Sequence, residues 1–184
     1  MTVKTHTGSS LYFIALIPDA DIEQELHEFK LELFEKYQCK AALKSPAHIT
    51  LIPPFTWANF QAEKIIEIFK YFHPSIQPFD ITVEGFDTFG TQVFFARPLY
   101  EEKLYLLQSS VKQHFEPTLK DKIRDRFQFH PHITIANRDL RATDLPEIIK
   151  SFEIKKYRRA IRFREISLLR HNGTKWEIVS KIPL

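Results

Sequence analysis

The sequence repeats one short pattern, His-Ile-Thr followed by an aliphatic residue, at His48 and again at His132, about half the chain apart. On a β-strand, residues i and i+2 point to the same face. Each copy would therefore present an imidazole and a threonine hydroxyl on one face and two aliphatic side chains on the other. A fold that contains both strands must bury the aliphatic faces and leave the polar faces along an open surface.

Chance does not readily explain two such copies in a chain of 184 residues. When an aliphatic residue is required at both flanking positions, the composition predicts roughly 0.03 copies. Two unrelated core histidines on strands are the structural alternative, because strand preferences inflate matches of this kind. We interpret the pair as functional and keep that alternative open.

The remaining pattern predicts strands alternating with amphipathic helices in one domain that spans residues 1–184. Apolar runs and alternation predict strands at 11–17, 47–52, 79–86, 92–96 and 131–136. The prolines at 53 and 54 are expected to stop the second strand. Helical spacing predicts helices at 22–37, 61–72, 99–115 and 145–150. Residues 160–169 and 176–182 should form a hairpin around Asn172-Gly173, which is a strong turn signal.

Composition excludes few functions but indicates the compartment and the charge of possible ligands. The single cysteine permits no intrachain disulfide, and the apolar run at 11–17 is too short to cross a membrane, so we expect a cytoplasmic monomer with no membrane partner. The formal charge of +3 permits an anionic substrate without arguing for one. Four arginines at 158–164 are interpreted as a solvated sheet face, and the basic run at 120–126 as a solvated or phosphate-steering loop.

The chemistry of the repeated pattern suits a phosphodiester. Cleavage needs a base that activates the nucleophile and an acid that protonates the leaving oxygen, and histidine can supply both near neutral pH. The hydroxyls of Thr50 and Thr134 can donate hydrogen bonds to the non-bridging oxygens. His48, Thr50, His132 and Thr134 are therefore the candidate catalytic residues, and no cofactor is needed.

These two motifs resemble those of the 2H phosphoesterase superfamily, and the chain is similar over nearly its whole length to the bacterial 2'-5' RNA ligase and RNA 2',3'-cyclic phosphodiesterase branch. The resemblance implies an α+β, bilobal fold of two antiparallel β-sheets related by a pseudo-twofold axis, with outer helices and with the motif strands lining a central groove. It implies a metal-independent phosphodiesterase that hydrolyses 2',3'-cyclic phosphodiesters on RNA ends or small nucleotides, with reversible 2'-5' RNA ligase activity as a further possibility. The partner would be a nucleotide or RNA end that carries a cyclic phosphate. In that branch the first histidine is usually the acid and the second the base, an order that the sequence itself does not fix.

The sequence departs from the family at one position. Relatives often place an arginine five residues after the second histidine, where this chain has Asn137 followed by Arg138. Either Arg138 or Arg126 could supply the cation for the phosphate. Phe55 and Phe127 lie beside the motifs in sequence and could stack on a base.

The sequence is also consistent with two other functions. The chain could be a catalytically weak RNA- or nucleotide-binding protein, or a phosphoesterase that acts on a non-RNA cyclic phosphate. His130-Pro131-His132 could suggest a metal site, but no Asp, Glu or Cys nearby in the sequence completes a ligand set, so we predict no metal ligands.

Overall fold

The computed structural model describes residues 8–119, 122 and 128–184 of the chain. The α-helices of this part are α1 (Ala20–Tyr37), α2 (Ala62–Lys70), α3 (Glu102–Leu119) and α4 (Leu145–Glu153). Its strands are β1 (Ser9–Leu16), β2 (Ile49–Ala58), β3 (Phe79–Phe89), β4 (Val93–Pro98), β5 (Ile133–Asn137), β6 (Arg158–Phe163), β7 (Glu165–His171) and β8 (Trp176–Pro183). A 3-10 turn at Ala41–Lys44 precedes β2. The α+β class predicted from the sequence is confirmed.

All eight strands belong to one antiparallel sheet, in the order β6-β3-β4-β5-β2-β1-β7-β8. The two motif strands, β2 and β5, lie at its centre and are joined by a single residue pair, Ile49 with Ile133. Four strands lie on each side of this junction. The prediction of two sheets differs from the structure, in which two groups of four strands are joined at one residue pair into a single continuous sheet.

The sheet must also curl, because β6 and β7 stand six places apart in its order although only Arg164 separates them in the chain. Two residues of extended chain span roughly 7 Å at most, so the outer ends of the two groups must approach one another. The sequence predicted one strand across 160–169, and this prediction is wrong. Residues before Arg164 pair with β3, whereas those after it pair with β1 and β8. The predicted hairpin around Asn172-Gly173 is confirmed for β7 and β8.

The second strand also continues further than predicted. β2 extends to Ala58 and passes through Pro53 and Pro54, both of which are exposed. The pairing register with β1 shifts at this point, from Ile52 opposite Ile14 to Phe55 opposite Tyr12. A proline at such a bulge removes no ladder hydrogen bond, so the strand resumes after it.

The helices cover one face of the sheet and leave the other face open around the motif strands. α1 packs on β5, α2 on β8, α3 on β2 and α4 on β3. The residues buried between helices and sheet form one large hydrophobic cluster that includes both motif strands, and a small second cluster of Phe13, Ala15 and Leu169 lies apart from it. Within the described residues, no helix is long and apolar enough to cross a membrane.

Candidate active site

The two motifs follow the alternation expected for strands. Their aliphatic residues are 0–1% exposed and belong to the main hydrophobic core: Ile49, Leu51, Ile133 and Ile135. The histidines and threonines between them are partly exposed. The structure therefore places His48, Thr50, His132 and Thr134 on the same face of the sheet, opposite the core.

The pairing of Ile49 with Ile133 determines how these four residues are arranged. Because the strands are antiparallel, His48 comes next to Thr134, and His132 comes next to Thr50. The two histidines are then diagonal neighbours, and regular strand geometry separates their Cα atoms by about 8 Å. A phosphate group between the two imidazoles would have one ring on each side and one hydroxyl near each ring.

Each imidazole is held by a backbone carbonyl of the loop before its strand. The Nδ1 atom of His48 lies 2.7 Å from the carbonyl oxygen of Pro46, and that of His132 lies 2.8 Å from the carbonyl oxygen of His130. A carbonyl oxygen can only accept a hydrogen bond, so each Nδ1 must carry the proton. Nε2 is consequently the nitrogen of each ring that can take up or release a proton toward a ligand.

Burial makes both imidazoles weaker bases than a free histidine. The pKa of His48 falls from 6.5 to about 4, mainly because the surrounding protein replaces water, and the positive charges of Lys30 and His132 lower it further. Burial also lowers the pKa of His132. The backbone hydrogen bonds act in the opposite direction on each pKa without overcoming the burial. Both rings are therefore mainly neutral at pH 7 in the free protein.

Aromatic rings line the polar face beside both histidines. The ring centroid of Phe13 lies 4.8 Å from that of His48. The rings of Phe89 and Phe95 lie 4.9 and 5.5 Å from that of His132. Phe13 and Phe95 are buried, but Phe89 is 40% exposed and can contact a ligand. Phe89 was not predicted from the sequence, although its position at the end of a strand, just before the turn at Gly90, was a signal for it.

The substrate-binding residues predicted from the sequence have different outcomes. Phe55 is 1% exposed and packs on Tyr12 inside the core, so the prediction that it could stack on a base is wrong. It returns to the core face of β2 after the bulge at the two prolines. Arg126 and Phe127 lie outside the described residues, and their roles stay predictions.

Arg138 is exposed and directly follows β5. Its φ of 54° is in the left-handed region, so the chain turns sharply at this residue. Just before this turn, the pairing register of β5 with β4 shifts between Thr134, opposite Phe95, and Ala136, opposite Phe94. The amide oxygen of Asn137 is buried and has no hydrogen-bond partner among the described residues. Asn137 thus has a polar atom, but no charge, where relatives often have an arginine.

The arginines at 158–164 do not add to this face, and the basic run at 120–126 lies outside the described residues except for Lys122. Arginines of β6 and the residue after it form ion pairs with carboxylates, as expected for a solvated surface: Arg158 with Glu84, Arg159 with Glu25, Arg162 with Asp80 and Arg164 with Asp19. Among the residues that the structure describes, no three His, Cys, Asp or Glu side chains converge as metal ligands would.

Known proteins resemble this chain in both sequence family and fold. Residues 18–175 match the family model described as the 2'-5' RNA ligase superfamily. No curated protein sequence matches the chain.

Solved structures superpose on nearly the whole chain. Escherichia coli LigT in complex with 3'-AMP is 14% identical, with a TM-score of 0.63 over 96% of this chain and 99% of its own. The same protein in complex with ATP is 15% identical, with a TM-score of 0.59 over 96% and 99%. The protein TT0787 of Thermus thermophilus is 16% identical, with a TM-score of 0.64 over 95% and 97%. At such identities these structures establish a shared fold.

Proposed function

The chain belongs to the 2'-5' RNA ligase superfamily, and from this premise we propose that it is a metal-independent phosphodiesterase that hydrolyses 2',3'-cyclic phosphodiesters. One observation carries the proposal: His48 and His132 immediately precede two neighbouring strands and have the same backbone anchor on Nδ1. Two rings fixed in this way can act on opposite sides of one phosphate. Residues of this chain would perform the proton transfers without a metal.

In the proposed reaction, the neutral imidazole of one histidine takes a proton from a water molecule through Nε2. The water oxygen bonds to phosphorus, and the bond from phosphorus to one ribose oxygen of the cyclic phosphate breaks. The imidazolium of the other histidine gives its proton to that ribose oxygen. Thr50 and Thr134 donate hydrogen bonds to the non-bridging oxygens as negative charge develops there. A ribose hydroxyl in place of water would instead join two RNA ends, which is the ligase reaction.

Substrate binding changes the protonation states of the two histidines. Both rings are mainly neutral in the free protein because burial lowers the pKa of each. A bound phosphate is negatively charged and stabilises an imidazolium next to it, so binding raises the pKa of both rings. The reaction needs one charged ring and one neutral ring, and the phosphate itself supplies the charge that produces this pair.

A nucleotide or an RNA end fits the surroundings of the histidines. The exposed ring of Phe89 next to His132 offers a stacking surface for a base. Structures of the similar fold of E. coli LigT contain 3'-AMP or ATP, which supports a nucleotide as the ligand class for this chain. Arg138 and Arg126 are the proposed sources of positive charge for the phosphate, and Phe127 is a second proposed stacking residue.

Turnover of 2',3'-cyclic nucleotides, alone and at the end of an RNA, tests the proposal. The wild-type protein should hydrolyse them with EDTA present. His48→Ala and His132→Ala should each lower kcat by roughly 10²–10⁴-fold, and Thr50→Val and Thr134→Val by less. His73 is exposed, and His73→Ala is the matched control.

Two results would contradict the proposal. Activity that EDTA abolishes and a divalent cation restores would identify a metal enzyme. Binding of a cyclic nucleotide without turnover under any tested condition would instead indicate an RNA- or nucleotide-binding protein.

A further inference from the structure

Lys30 is a buried cation that the proposed reaction does not use. It lies on α1, one turn after Leu26 and one turn before Leu33, and all three side chains are buried. Lys30 is 1% exposed, and its Nζ donates a hydrogen bond to the carbonyl oxygen of Ser45 at 2.9 Å. An ammonium group is rarely buried unless its hydrogen bonds or its charge stabilise something specific.

Glu23 lies two helical turns before Lys30 and therefore on the same face of α1. Its Oε1 accepts a hydrogen bond from the backbone N–H of Ala47 at 3.2 Å. The negative charge of Glu23 also stabilises the charged form of Lys30 and raises its pKa, although burial has the larger effect and leaves that pKa at about 8. The two side chains thus hold both ends of residues 45–47 against the helix.

The residue between these two anchors is Pro46, whose carbonyl oxygen accepts the hydrogen bond from Nδ1 of His48. Proline has no N–H, so this short segment has few backbone groups that could fix it in place. The contacts of Lys30 and Glu23 supply that fixation. A rotation of the Pro46 carbonyl would release the imidazole from its only anchored orientation and tautomer.

We propose that Lys30 is a positioning residue for His48, which acts with Glu23 to fix the Pro46 carbonyl that anchors the imidazole. Lys30 also lowers the pKa of that ring through its positive charge. Its effect on rate rests on the proposed function, whereas its effect on the ring of His48 does not. Among the described residues, Lys30 is the only charged side chain in the buried class.

Several charged or titratable groups lie on the elements around this segment. α1 contributes Glu23 and Lys30, of which Lys30 lowers the pKa of His48. His132, the residue just before β5, lowers the pKa of His48 as well, but by less. Lys44 of the 3-10 turn is exposed. Asp139 follows Arg138, and its carboxylate accepts hydrogen bonds from the backbone N–H groups at the start of that turn. Lys30 is thus the cation with the largest effect on His48.

The titration of the His48 ring, followed by NMR in the full chain, tests the proposal without any activity measurement. Lys30→Met removes both the charge and the hydrogen bond, and Lys30→Gln removes the charge but keeps a donor. Lys30→Gln should raise the pKa of His48, because it removes the positive charge that lowers this pKa and keeps a donor to the Ser45 carbonyl. The rise should be smaller in Lys30→Met, because a displaced Pro46 carbonyl would no longer raise the pKa. Lys36→Met, an exposed lysine on the same helix, is the control and should leave the titration unchanged.

Kinetics with a 2',3'-cyclic nucleotide then separate charge from position. Lys30→Met should lower kcat by roughly tenfold or more, because the ring loses its fixed orientation, while KM changes little since Lys30 does not touch the substrate. Lys30→Gln should recover part of kcat, because it can still donate to the Ser45 carbonyl. Thermal unfolding of each variant shows whether the fold is retained.

An unchanged His48 titration in folded Lys30→Gln protein would overturn the proposal and leave Lys30 a structural residue. The wild-type protein provides a check that needs no variant. As Lys30 loses its proton near pH 8, the ring resonances of His48 should show a second inflection, and its absence would equally contradict the proposal. Inactivity of the wild-type protein with an altered His48 titration in the variants would refute only the proposed function.

Discussion

Replacement of His48 by glutamine should make the protein less sensitive to acid. The folded protein holds His48 with a pKa of about 4, whereas the unfolded chain has the ordinary value of 6.5. Above pH 6.5 the ring is neutral in both states, and its ionisation has no effect on stability. Below pH 6.5 His48 becomes protonated in the unfolded chain but stays neutral in the folded protein, so folding becomes less favourable as the pH falls. The loss is complete below pH 4.

The size of this effect follows from the two pKa values. Proton uptake by the unfolded chain alone should lower the free energy of unfolding by about 2 kcal/mol at pH 5, relative to pH 8. The limit below pH 4 is about 3.4 kcal/mol, since one pH unit corresponds to about 1.36 kcal/mol. A typical domain has a total stability of roughly 5–15 kcal/mol, so the difference is easily measured.

Urea unfolding at pH 8 and pH 5 measures the effect. Wild-type protein should lose about 2 kcal/mol more stability between these pH values than His48→Gln does. Comparing the change within each protein cancels any direct effect of the substitution on stability. His73→Gln, a replacement of an exposed histidine, should lose as much as wild type. Equal losses for wild type and His48→Gln would show that the ring is not held neutral in the folded state, and the lowered pKa of His48 would be wrong.

Three further outcomes are expected. The maximum of kcat/KM should lie below pH 6.5 and that of kcat at higher pH, because the bound phosphate raises the pKa of the imidazoles; coincident profiles would contradict this. Phe89→Ala should raise KM for a cyclic nucleotide by roughly 5–100-fold, the usual contribution of one stacked base, with Phe60→Ala, an exposed ring on the turn after β2, as the control. Arg126→Ala combined with Arg138→Ala should raise KM while Arg162→Ala does not, and an unchanged KM in the double variant would show that neither arginine contacts the substrate.

The sequence predicted those features that depend on local pattern. The period of two predicted which side chains of each motif strand face the core and which face the open side. The Asn172-Gly173 dipeptide predicted the turn between the last two strands. The four helices were predicted from apolar spacing, with differences of a few residues at their ends. Each of these depends on neighbours within one element, so a single sequence contains the necessary information.

Features that depend on distant pairing were not predicted. The apolar alternation shifts by one residue after Phe163, because the next apolar residue is Ile166. This shift is a local sign of an irregularity, but it does not show that the chain changes partner strands there. The continuation of β2 beyond its prolines depends on a bulge against β1. Lys30 could have been noticed, because it occupies the apolar stripe of α1 between Leu26 and Leu33, where a charged residue is unusual.

The order of strands in the sheet has a consequence for how the protein is made. β3, β4, β5 and β6 follow one another in the chain and pair only among themselves, apart from the junction at Ile49 and Ile133. β1 and β2 form the other group with β7 and β8, so that Phe13 pairs with Leu169 near the opposite end of the chain. On the ribosome the N-terminus emerges first. The strand group next to His132 can therefore pair before β7 and β8, which complete the group next to His48, have been synthesised. We therefore expect a late step in folding that completes the His48 side of the sheet once β7 and β8 have been synthesised.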